Sequence, residues 1–345
     1  MILRDYQQRA IDDLYSWFGS NVGNPCLVLP TGAGKSLIIA ALCRDAIQQW
    51  PETRILMMSH VKELIEQNAE KMRAMWPGAP LGIYSASLRK RNLEEPITFA
   101  GIQSVRNKSK EIGHVDLVII DECHLVNHKA EGGYRTLIEE LTTINPELRV
   151  IGLTATPHRL GHGLITDKPA IFDDLLESVT IEELIHKGYL ANLRSKVTKE
   201  KLSTDGVHKR GGDFIESELQ AAVDTDAHNM AVVDEVIGLA GDRRHWLFFC
   251  AGVQHAVNIR GQLRLRGISA ETVTGETPQG ERAQIISDFK AGKIQALTNA
   301  NVLTTGFDAP NIDLIAMLRP TMSPSLYIQM AGRGLRQKTH TDHCL

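Results

Sequence analysis

The 345-residue sequence has few cysteines and no long hydrophobic run. Its five cysteines are scattered and none forms a CxxC pair, so neither a disulfide framework nor a zinc site is indicated within the chain. Reduced thiols in a cytoplasmic protein are expected. The chain contains neither an apolar stretch of membrane-spanning length nor a basic-then-apolar signal pattern at its start, so we expect no membrane partner.

Aromatic residues and net charge are also low. Aromatics make up 5% of the sequence, which disfavours a binding mode based on stacking bases on aromatic rings. The formal net charge is -3, so any contact with nucleic acid must come from local basic patches. Residues 89–91 and 106–110 are such patches, although a solvated loop is the more common explanation of a basic run. The hydrophobic content of 43% is typical of globular proteins, and the length favours two domains.

Residues 26–42 are predicted to form a strand, a tight loop and a buried helix. Glycines in such a loop let the backbone approach a ligand, while loop N–H groups and the helix N-terminus favour an anion. A lysine and a hydroxyl that follow can reach terminal phosphates and Mg²⁺. The standard pattern has glycine where this chain has Leu29, so a glycine-rich turn with a solvated lysine is the alternative. The loop residues are Pro30, Thr31, Gly32, Ala33, Gly34, Lys35 and Ser36.

A second pattern places two carboxylates at a strand end. The apolar run 117–120 is typical of a buried parallel strand, and it ends in Asp121 and Glu122. Facing the phosphate loop, Asp121 would reach Mg²⁺ through water, and Glu122 would deprotonate the attacking water. A polar turn after a strand is the alternative. The next strand ends in Thr154 and Thr156, whose hydroxyls could hydrogen-bond the carboxylate pair.

Strand and helix patterns alternate over 25–160 and again over 245–330, which predicts parallel sheets with helices on both faces. The second half has no phosphate loop. Over residues 158–225 the regular alternation of strand and helix patterns stops, and we interpret this region as a linker with one or two helices. We therefore predict one domain over 1–200 and another over 201–345.

Several single polar residues have both an ordinary and a functional interpretation. Gln7 is either a surface residue or a reader of an adenine edge. Ser59 and His60, at a strand end, are either loop residues or donors to a backbone phosphate. Arg333 and Arg336 are either a surface pair or arginine fingers that reach a γ-phosphate across an interdomain cleft.

Taken in order, these motifs resemble those of the superfamily 2 helicases. The resemblance spans essentially the whole chain. The box 121–124 has Cys where Ala is common, which points away from the DEAD-box RNA helicases. Motif V resembles the group that contains UvrB, the type I and III restriction motors and the nucleotide-excision helicases, and the chain resembles the RadD-like bacterial repair helicases. The motifs lie at 3–7, 30–36, 121–124, 154–156, 304–308 and 329–336.

The resemblance implies an α/β fold of two RecA-like domains, each a parallel sheet with helices on both faces, with the ATP site in the cleft between them. Residues implied to bind the nucleotide are Arg4, Gln7, Pro30, Thr31, Gly32, Ala33, Gly34, Lys35, Ser36, Gly306 and Asp308. Ser36 and Asp121 would hold Mg²⁺. Catalysis would involve Lys35, Asp121, Glu122, Gln329, Arg333 and Arg336. Coupling to nucleic acid would involve His124, Thr154 and Thr156, and contacts to its backbone would come from Ser59, Gly101, Gln103, Thr274 and Thr304.

The expected function is a monomeric ATP-dependent helicase or translocase that acts in DNA repair on single-stranded or branched DNA, without reading its sequence. ATP and Mg²⁺ are the expected cofactors, and other repair proteins are expected partners. One alternative is an RNA-dependent ATPase or RNA helicase. Another is an ATP-switched nucleic-acid-binding module without unwinding activity.

RadD-like proteins are longer, so the chain is expected to be truncated before a Cys-rich C-terminal region. Zinc is expected only in that region. At the chain end, His340, His343 and Cys344 could bind a metal, but they lack a fourth ligand, and the start of a strand is favoured.

Overall fold

The computed structural model describes residues 2–126, 133–159, 163–304, 307, 309 and 311–345. Contacts divide the chain into two compact units, Met1–Ile181 and Glu182–Leu345. This division falls before residue 200, where we expected a boundary. The segment after 181 belongs with the second unit because Asn192 pairs with His343, and the Ala191 N–H donates to the carbonyl of Leu335 at 2.6 Å.

The first unit is built on an eight-stranded sheet. Its strands, together with a short hairpin of β8 and β9, are β1 Pro25–Val28, β2 Ile55–Ser59, β3 Leu81–Ser85, β4 Lys90–Arg91, β5 Ile97–Gly101, β6 Leu117–Asp121, β7 Arg149–Thr154, β8 His158–Arg159, β9 Gly163–Leu164 and β10 Asp174–Leu176. Its helices are α1 Asp5–Ser20, α2 Lys35–Gln49, α3 Lys62–Met75, α4 Ile102–Val105, α5 Ser109–Ile112 and α6 Gly133–Ile144.

The order across this sheet is β10–β1–β7–β6–β2–β5–β3–β4. Every neighbouring pair is parallel except β3 and β4. Side chains of successive strand residues point to opposite faces, and both faces are covered, since Met58 packs in a cluster with Leu137 of α6 while Met57 is fully buried on the other side. The parallel arrangement brings the carboxyl ends of β1, β7, β6, β2 and β5 to a single edge.

The second unit has a four-stranded parallel sheet in the order β15–β16–β14–β17. Strands from residue 192 onward are β11 Asn192–Leu193, β12 Lys209–Arg210, β13 Asp213–Phe214, β14 Trp246–Cys250, β15 Ala270–Val273, β16 Ala296–Asn299, β17 Leu314–Leu318 and β18 His343–Cys344. Helices from residue 181 onward are α7 Ile181–His186, α8 Glu216–Val223, α9 Asp226–Ala240, α10 Val253–Leu265, α11 Gln279–Lys290 and α12 Pro324–Ala331.

The predicted α/β fold class is confirmed. The strands predicted for both sheets are present, and so are the helices predicted between them. Residues 158–225 hold more structure than a linker: β10 joins the main sheet beside β1, and β12 and β13 form a hairpin. The chain end enters a strand, β18, as predicted. Within the described ranges, no helix has the length and apolar character needed to cross a membrane.

Candidate active site

The loop after β1 has the backbone shape of a phosphate cradle. Gly32 and Gly34 have φ of +86° and +82°, in the left-handed region that favours glycine. Gly34 is the N-cap of α2, and Lys35 and Ser36, both half-buried, form its first turn. The free N–H groups of that turn and the positive end of the helix dipole favour an anion at this position.

Two side chains of α1 hold this loop in place. The hydroxyl of Tyr6 and Nε2 of Gln7 donate to the carbonyl of Ala33 at 2.8 and 3.0 Å. The Arg4 N–H donates to Oε1 of Gln7 at 3.0 Å, while the Arg4 residue as a whole is exposed. A Cβ atom on Gly34 would lie 2.6 Å from Nε2 of Gln7, so glycine is needed for this close approach. A glutamine amide has a second N–H and a second acceptor position, which suits the adenine-reading role predicted for Gln7.

The two carboxylates at the end of β6 meet the phosphate-loop lysine. Asp121 is 3% exposed and accepts hydrogen bonds from Nδ2 of Asn68 at 2.9 Å and from the Glu122 N–H at 3.0 Å. Burial, and next the Glu122 carboxylate, raise the pKa of Asp121 to about 6. Glu122 has a φ of +51°, an unusual conformation for a side-chain-bearing residue, and its Oε1 lies 3.2 Å from Nζ of Lys35.

His124 connects this cluster to the end of β7. Its Nδ1 lies 2.8 Å from Oγ1 of Thr154 and 3.4 Å from Oε2 of Glu122. Thr154 is tied in turn to Thr156, whose N–H donates to Oγ1 of Thr154 at 3.0 Å. Burial lowers the pKa of His124, although Glu122 opposes this shift. The predicted link between the threonines and the carboxylates is therefore made through the imidazole.

The strands β1, β7 and β6 are adjacent, so the phosphate loop, the threonines and the carboxylates lie side by side on one sheet edge. This is where open parallel sheets bind ligands. The donor set fits a magnesium nucleotide, since it offers an anion cradle, a lysine for phosphate charge, and the hydroxyl of Ser36 and the carboxylate of Asp121 as hard oxygen ligands. Among the described residues, no group of three or more His, Cys, Asp or Glu side chains is placed to hold a metal ion.

The nucleic-acid residues predicted in this unit lie further along the same edge. Ser59 and Gly101 end β2 and β5 and are direct partners in the strand register. Ser59 is buried, and its Oγ accepts from the Val61 N–H at 3.4 Å. Gln103, in α4, is exposed.

In the second unit, Thr274 follows β15 and is 7% exposed, with its hydroxyl 3.4 Å from that of Thr277. Arg333 is 8% exposed, and its guanidinium donates to the carbonyls of Thr304 and Phe307. Gln329, in α12, is half-buried.

Arg336 is also half-buried, and burial lowers its pKa. Gly306 and Asp308 lie outside the described residues. Of the predicted site residues described in this unit, Thr304 and Arg333 are in direct contact.

Sequence reasoning missed Tyr6, Asn68 and Tyr134. Asn68 had a usable signal, because it interrupts the apolar face of α3 and is 1% exposed beside Asp121. Tyr6 stands next to Gln7 but has no pattern of its own. Tyr134 lies in the first turn of α6, and its hydroxyl is 3.1 Å from Nδ1 of His60.

Comparison with known protein families gives two separate matches. Residues 1–159 match the family described as "Type III restriction enzyme, res subunit". Residues 228–338 match the family described as "Helicase conserved C-terminal domain". Together the two matches take in the phosphate loop, the carboxylate pair and the C-terminal arginines.

Similar proteins point in the same direction. The Saccharomyces cerevisiae protein with the name "Putative ATP-dependent helicase IRC3" is 29% identical over 99% of this chain, and this chain spans 50% of that protein's length. XPB2 of Sulfurisphaera tokodaii, named as a DNA 3'-5' translocase, is 25% identical over 97% of this chain, and the match covers 79% of the length of XPB2. A fragment structure of an HsdR subunit of a type I restriction enzyme from Vibrio vulnificus YJ016 has a TM-score of 0.73 at 22% identity, covering 98% of this chain and 62% of that one. At this identity the structural likeness shows the fold alone.

Proposed function

Because the chain belongs to superfamily 2 of the helicases, we propose that it hydrolyses ATP to drive movement along DNA. The observation that carries this proposal is the cluster of Lys35, Asp121 and Glu122 at one sheet edge, with Nζ of Lys35 3.2 Å from Oε1 of Glu122. Few other arrangements place a cation, a metal-binding carboxylate and a base beside a phosphate cradle.

The chemical step assigned to the cluster is the hydrolysis of ATP to ADP and phosphate. Glu122 takes a proton from water, the water oxygen bonds to the γ-phosphorus, and the bond from phosphorus to the β–γ bridging oxygen breaks. Lys35 neutralises charge on the phosphates. Mg²⁺, held by Ser36 and Asp121, would stabilise the charge that develops on the phosphate oxygens. Gln7 would orient the adenine.

Arg336, Arg333 and Gln329 are also proposed to act in the hydrolysis of ATP. Arg336 is proposed as the finger, and Arg333, which donates to the carbonyls of Thr304 and Phe307, is proposed to act with it. Arg333 would thereby fix the segment that leads to Gly306 and Asp308, the residues assigned to the ribose.

DNA is proposed to lie along the part of the edge formed by β2 and β5. Ser59, Gly101 and Gln103 would contact backbone phosphates there, and Thr274 and Thr304 would do so in the second unit. Contacts of this type position a strand without reading its sequence. His124 contacts both Glu122 and Thr154, and these residues with Thr156 are proposed to couple the nucleotide state to the grip on DNA.

Finer assignments extend this proposal. A RadD-like role in DNA repair, action as a monomer in the cytoplasm, and partnership with other repair proteins all remain predictions from the sequence. The naming of XPB2 as a DNA translocase supports DNA over RNA as the track.

The test is steady-state ATP hydrolysis at low salt with no polymer, single-stranded DNA, duplex DNA or RNA. We expect strong stimulation by one form of DNA. Stimulation by RNA alone would replace the DNA assignment with the RNA alternative. If ATP is bound but not hydrolysed under any of the four conditions, the catalytic assignment of Glu122 is wrong, and the ATP-switched binding module becomes the better description.

A further inference from the structure

A polar cavity of about 560 Å³ lies at the amino edge of the sheet in the second unit. Its lining includes the residues that directly precede three of the parallel strands, namely His245 before β14, Ser269 before β15 and Gln295 before β16. The end of α11 and the turn after it, residues 290–292, also contribute. Thr274 follows β15, so this amino-edge pocket lies at the opposite end of the strand from the DNA contact proposed there.

Positive charge dominates the lining of the amino-edge pocket. Arg243, Arg244 and Lys290 belong to the lining, whereas no aspartate or glutamate of the described residues does. The formal net charge of the chain is -3, so this concentration of cations is local, and it favours an anion. Nη1 of Arg243 donates to Oδ1 of Asp242 at 2.8 Å, so Arg244 and Lys290 are the cations that we assign to a ligand.

The nearby carboxylate of Asp313 is engaged behind the pocket. Asp313 is fully buried, and it accepts hydrogen bonds from the Arg244 N–H at 2.7 Å and the His245 N–H at 2.8 Å. Nε2 of His340 lies 2.5 Å from Oδ2 of the same carboxylate. These contacts fix the backbone at two lining residues, while the carboxylate itself has no place in the lining.

The imidazole of His245 lacks hydrogen-bond partners. His245 is 9% exposed, and both of its ring nitrogens are buried without a partner in the described part of the chain. The ring packs edge-on against Phe289, with the centroids 5.3 Å apart. Burial lowers the pKa of His245, while the Asp313 carboxylate and the Phe289 carbonyl oppose this shift. A buried N–H without a partner costs free energy, which an acceptor on a ligand would recover.

Gly292 leaves space beside this ring. A Cβ atom on Gly292 would have Nε2 of His245, at 3.9 Å, as its only described neighbour within 4 Å apart from the adjoining residues of the chain. Residues 290–292 are all exposed. Because Nε2 is itself buried, an entering oxygen atom reaches it by a small displacement of this exposed turn.

We infer that the amino-edge pocket binds a phosphate dianion, with Arg244 and Lys290 supplying charge and His245 supplying a hydrogen bond. Guanidinium and ammonium groups are the usual protein partners of phosphate. The cavity volume of about 560 Å³ has room for a free phosphate ion or for the terminal phosphate of a small molecule. The inference goes beyond the proposed function, which makes no use of this edge of the sheet.

The first test is a titration of sodium phosphate into the full chain, isotopically labelled at its 13 histidines. Neutral pH and a constant ionic strength are kept with buffer and sodium chloride. The ring signal that is absent from His245→Gln identifies His245. We expect this signal to shift and saturate with a Kd of about 1 mM. If phosphate shifts it no more than sodium chloride does, the inference is wrong, and the cations neutralise the C-terminal ends of α9 and α11 instead.

Two further probes define the ligand. Phenyl phosphate carries a terminal phosphate group, and sodium acetate carries a carboxylate. The same saturable shift with phenyl phosphate would assign the pocket to phosphorylated small molecules, and a shift with inorganic phosphate alone would assign it to the free ion. Either result supports a phosphate site. An equal shift with acetate would overturn the assignment to phosphate.

Substitutions test the role of charge. Arg244→Gln removes an exposed cation of the lining and should weaken phosphate binding about tenfold. Lys293→Gln is the matched control, because Lys293 is exposed nearby, lies outside the lining and pairs with Asp288 at 2.9 Å. It should bind phosphate as the wild type does. Equal affinity of Arg244→Gln and the wild type would contradict the inference. If His245→Gln does not fold, cross-relaxation with the Phe289 ring identifies the His245 signal.

The phosphate loop is a second place where phosphate can bind, so the two sites must be separated. Lys35→Ala should weaken ATP binding and leave the His245 shift unchanged. If the shift disappears in Lys35→Ala, it originates at the phosphate loop and the inference is wrong while the proposed function stands. If the His245 shift saturates in a chain that hydrolyses no ATP, the proposed function is wrong and the inference stands.

Discussion

Nζ of Lys35 and Oε1 of Glu122 lie 3.2 Å apart, and their side chains are only 13% and 15% exposed. This ion pair joins the loop after β1 to the end of β6, with β7 between them in the sheet. Removal of either partner from a pair so shielded leaves the other charge without its counterion, which is more costly than breaking a surface salt bridge. The two residues proposed for the chemistry therefore also support each other's position.

Lys35→Ala and Glu122→Gln should separate binding from chemistry. Lys35→Ala removes the phosphate cation, so both ATP affinity and turnover should fall. Glu122→Gln keeps the shape but loses the base, so ATP should still bind while kcat falls about 10²- to 10³-fold. Nucleotide titration and steady-state kinetics on folded protein check both results. Wild-type turnover by either variant would contradict the site assignment.

The two C-terminal arginines should behave differently. Arg333 donates to two carbonyls and is buried, so Arg333→Ala should lower the free energy of unfolding by about 3 kcal/mol. Arg336→Ala should leave ATP binding intact and reduce kcat about 10³-fold, as loss of an arginine finger does. Urea unfolding and single-turnover hydrolysis separate these effects. An unchanged kcat would remove Arg336 from the catalytic set.

Gly34→Ala should disturb the loop through its backbone. The residue has a φ of +82°, and a Cβ there would lie 2.6 Å from Nε2 of Gln7. The left-handed conformation alone costs alanine about 1–2 kcal/mol, and Gln7 must also move. We expect lower stability and weaker ATP binding. The control is Gly78→Ala, where a Cβ meets nothing within 4 Å; similar losses in both variants would argue against a specific effect.

A buried histidine should make the second unit sensitive to acid. His255 is 1% exposed and its Nδ1 accepts from the Ala251 N–H at 3.2 Å. Burial lowers the pKa of His255 to about 4, although Asp224 opposes the shift. Because the folded-state pKa lies below the unfolded value of 6.5, the unfolded chain takes up the proton first as pH falls. The stability present above pH 6.5 is thus lost progressively down to about pH 4.

Between pH 7 and pH 5 this group alone should reduce the free energy of unfolding by about 2 kcal/mol. Urea unfolding at the two pH values measures the loss. His255→Asn keeps an acceptor near Nδ1 but cannot titrate, so the pH dependence should shrink by this amount. His186→Asn, at an exposed position in α7, is the control and should leave it unchanged. An equal pH slope in wild type and His255→Asn would refute the assignment.

Local patterns pointed to the residues that meet at the sheet edge because those residues stand at strand ends. The glycines before Lys35 and the carboxylates after the apolar run of β6 are each visible in a short window, and parallel topology brings such ends to one edge. The pairing of β10 with β1 was missed, because three residues carry no periodic signal. The bond from Asn68 to Asp121 was missed for another reason: it joins residues 53 positions apart, which no local pattern reports.

The register between β6 and β2 has a mechanical consequence. Met57 pairs with Ile119, and both side chains are fully buried in a close-packed interior. Such interiors compress little, and a slip of one residue would reverse every side chain of the strand. The ends of these strands cannot slide past each other, so the carboxylate pair at the end of β6 and Ser59 at the end of β2 keep a constant separation. A conformational change at one strand end can therefore reach the other in two ways. Side chains and loops at the sheet edge can rotate, or the whole sheet can move as a rigid body.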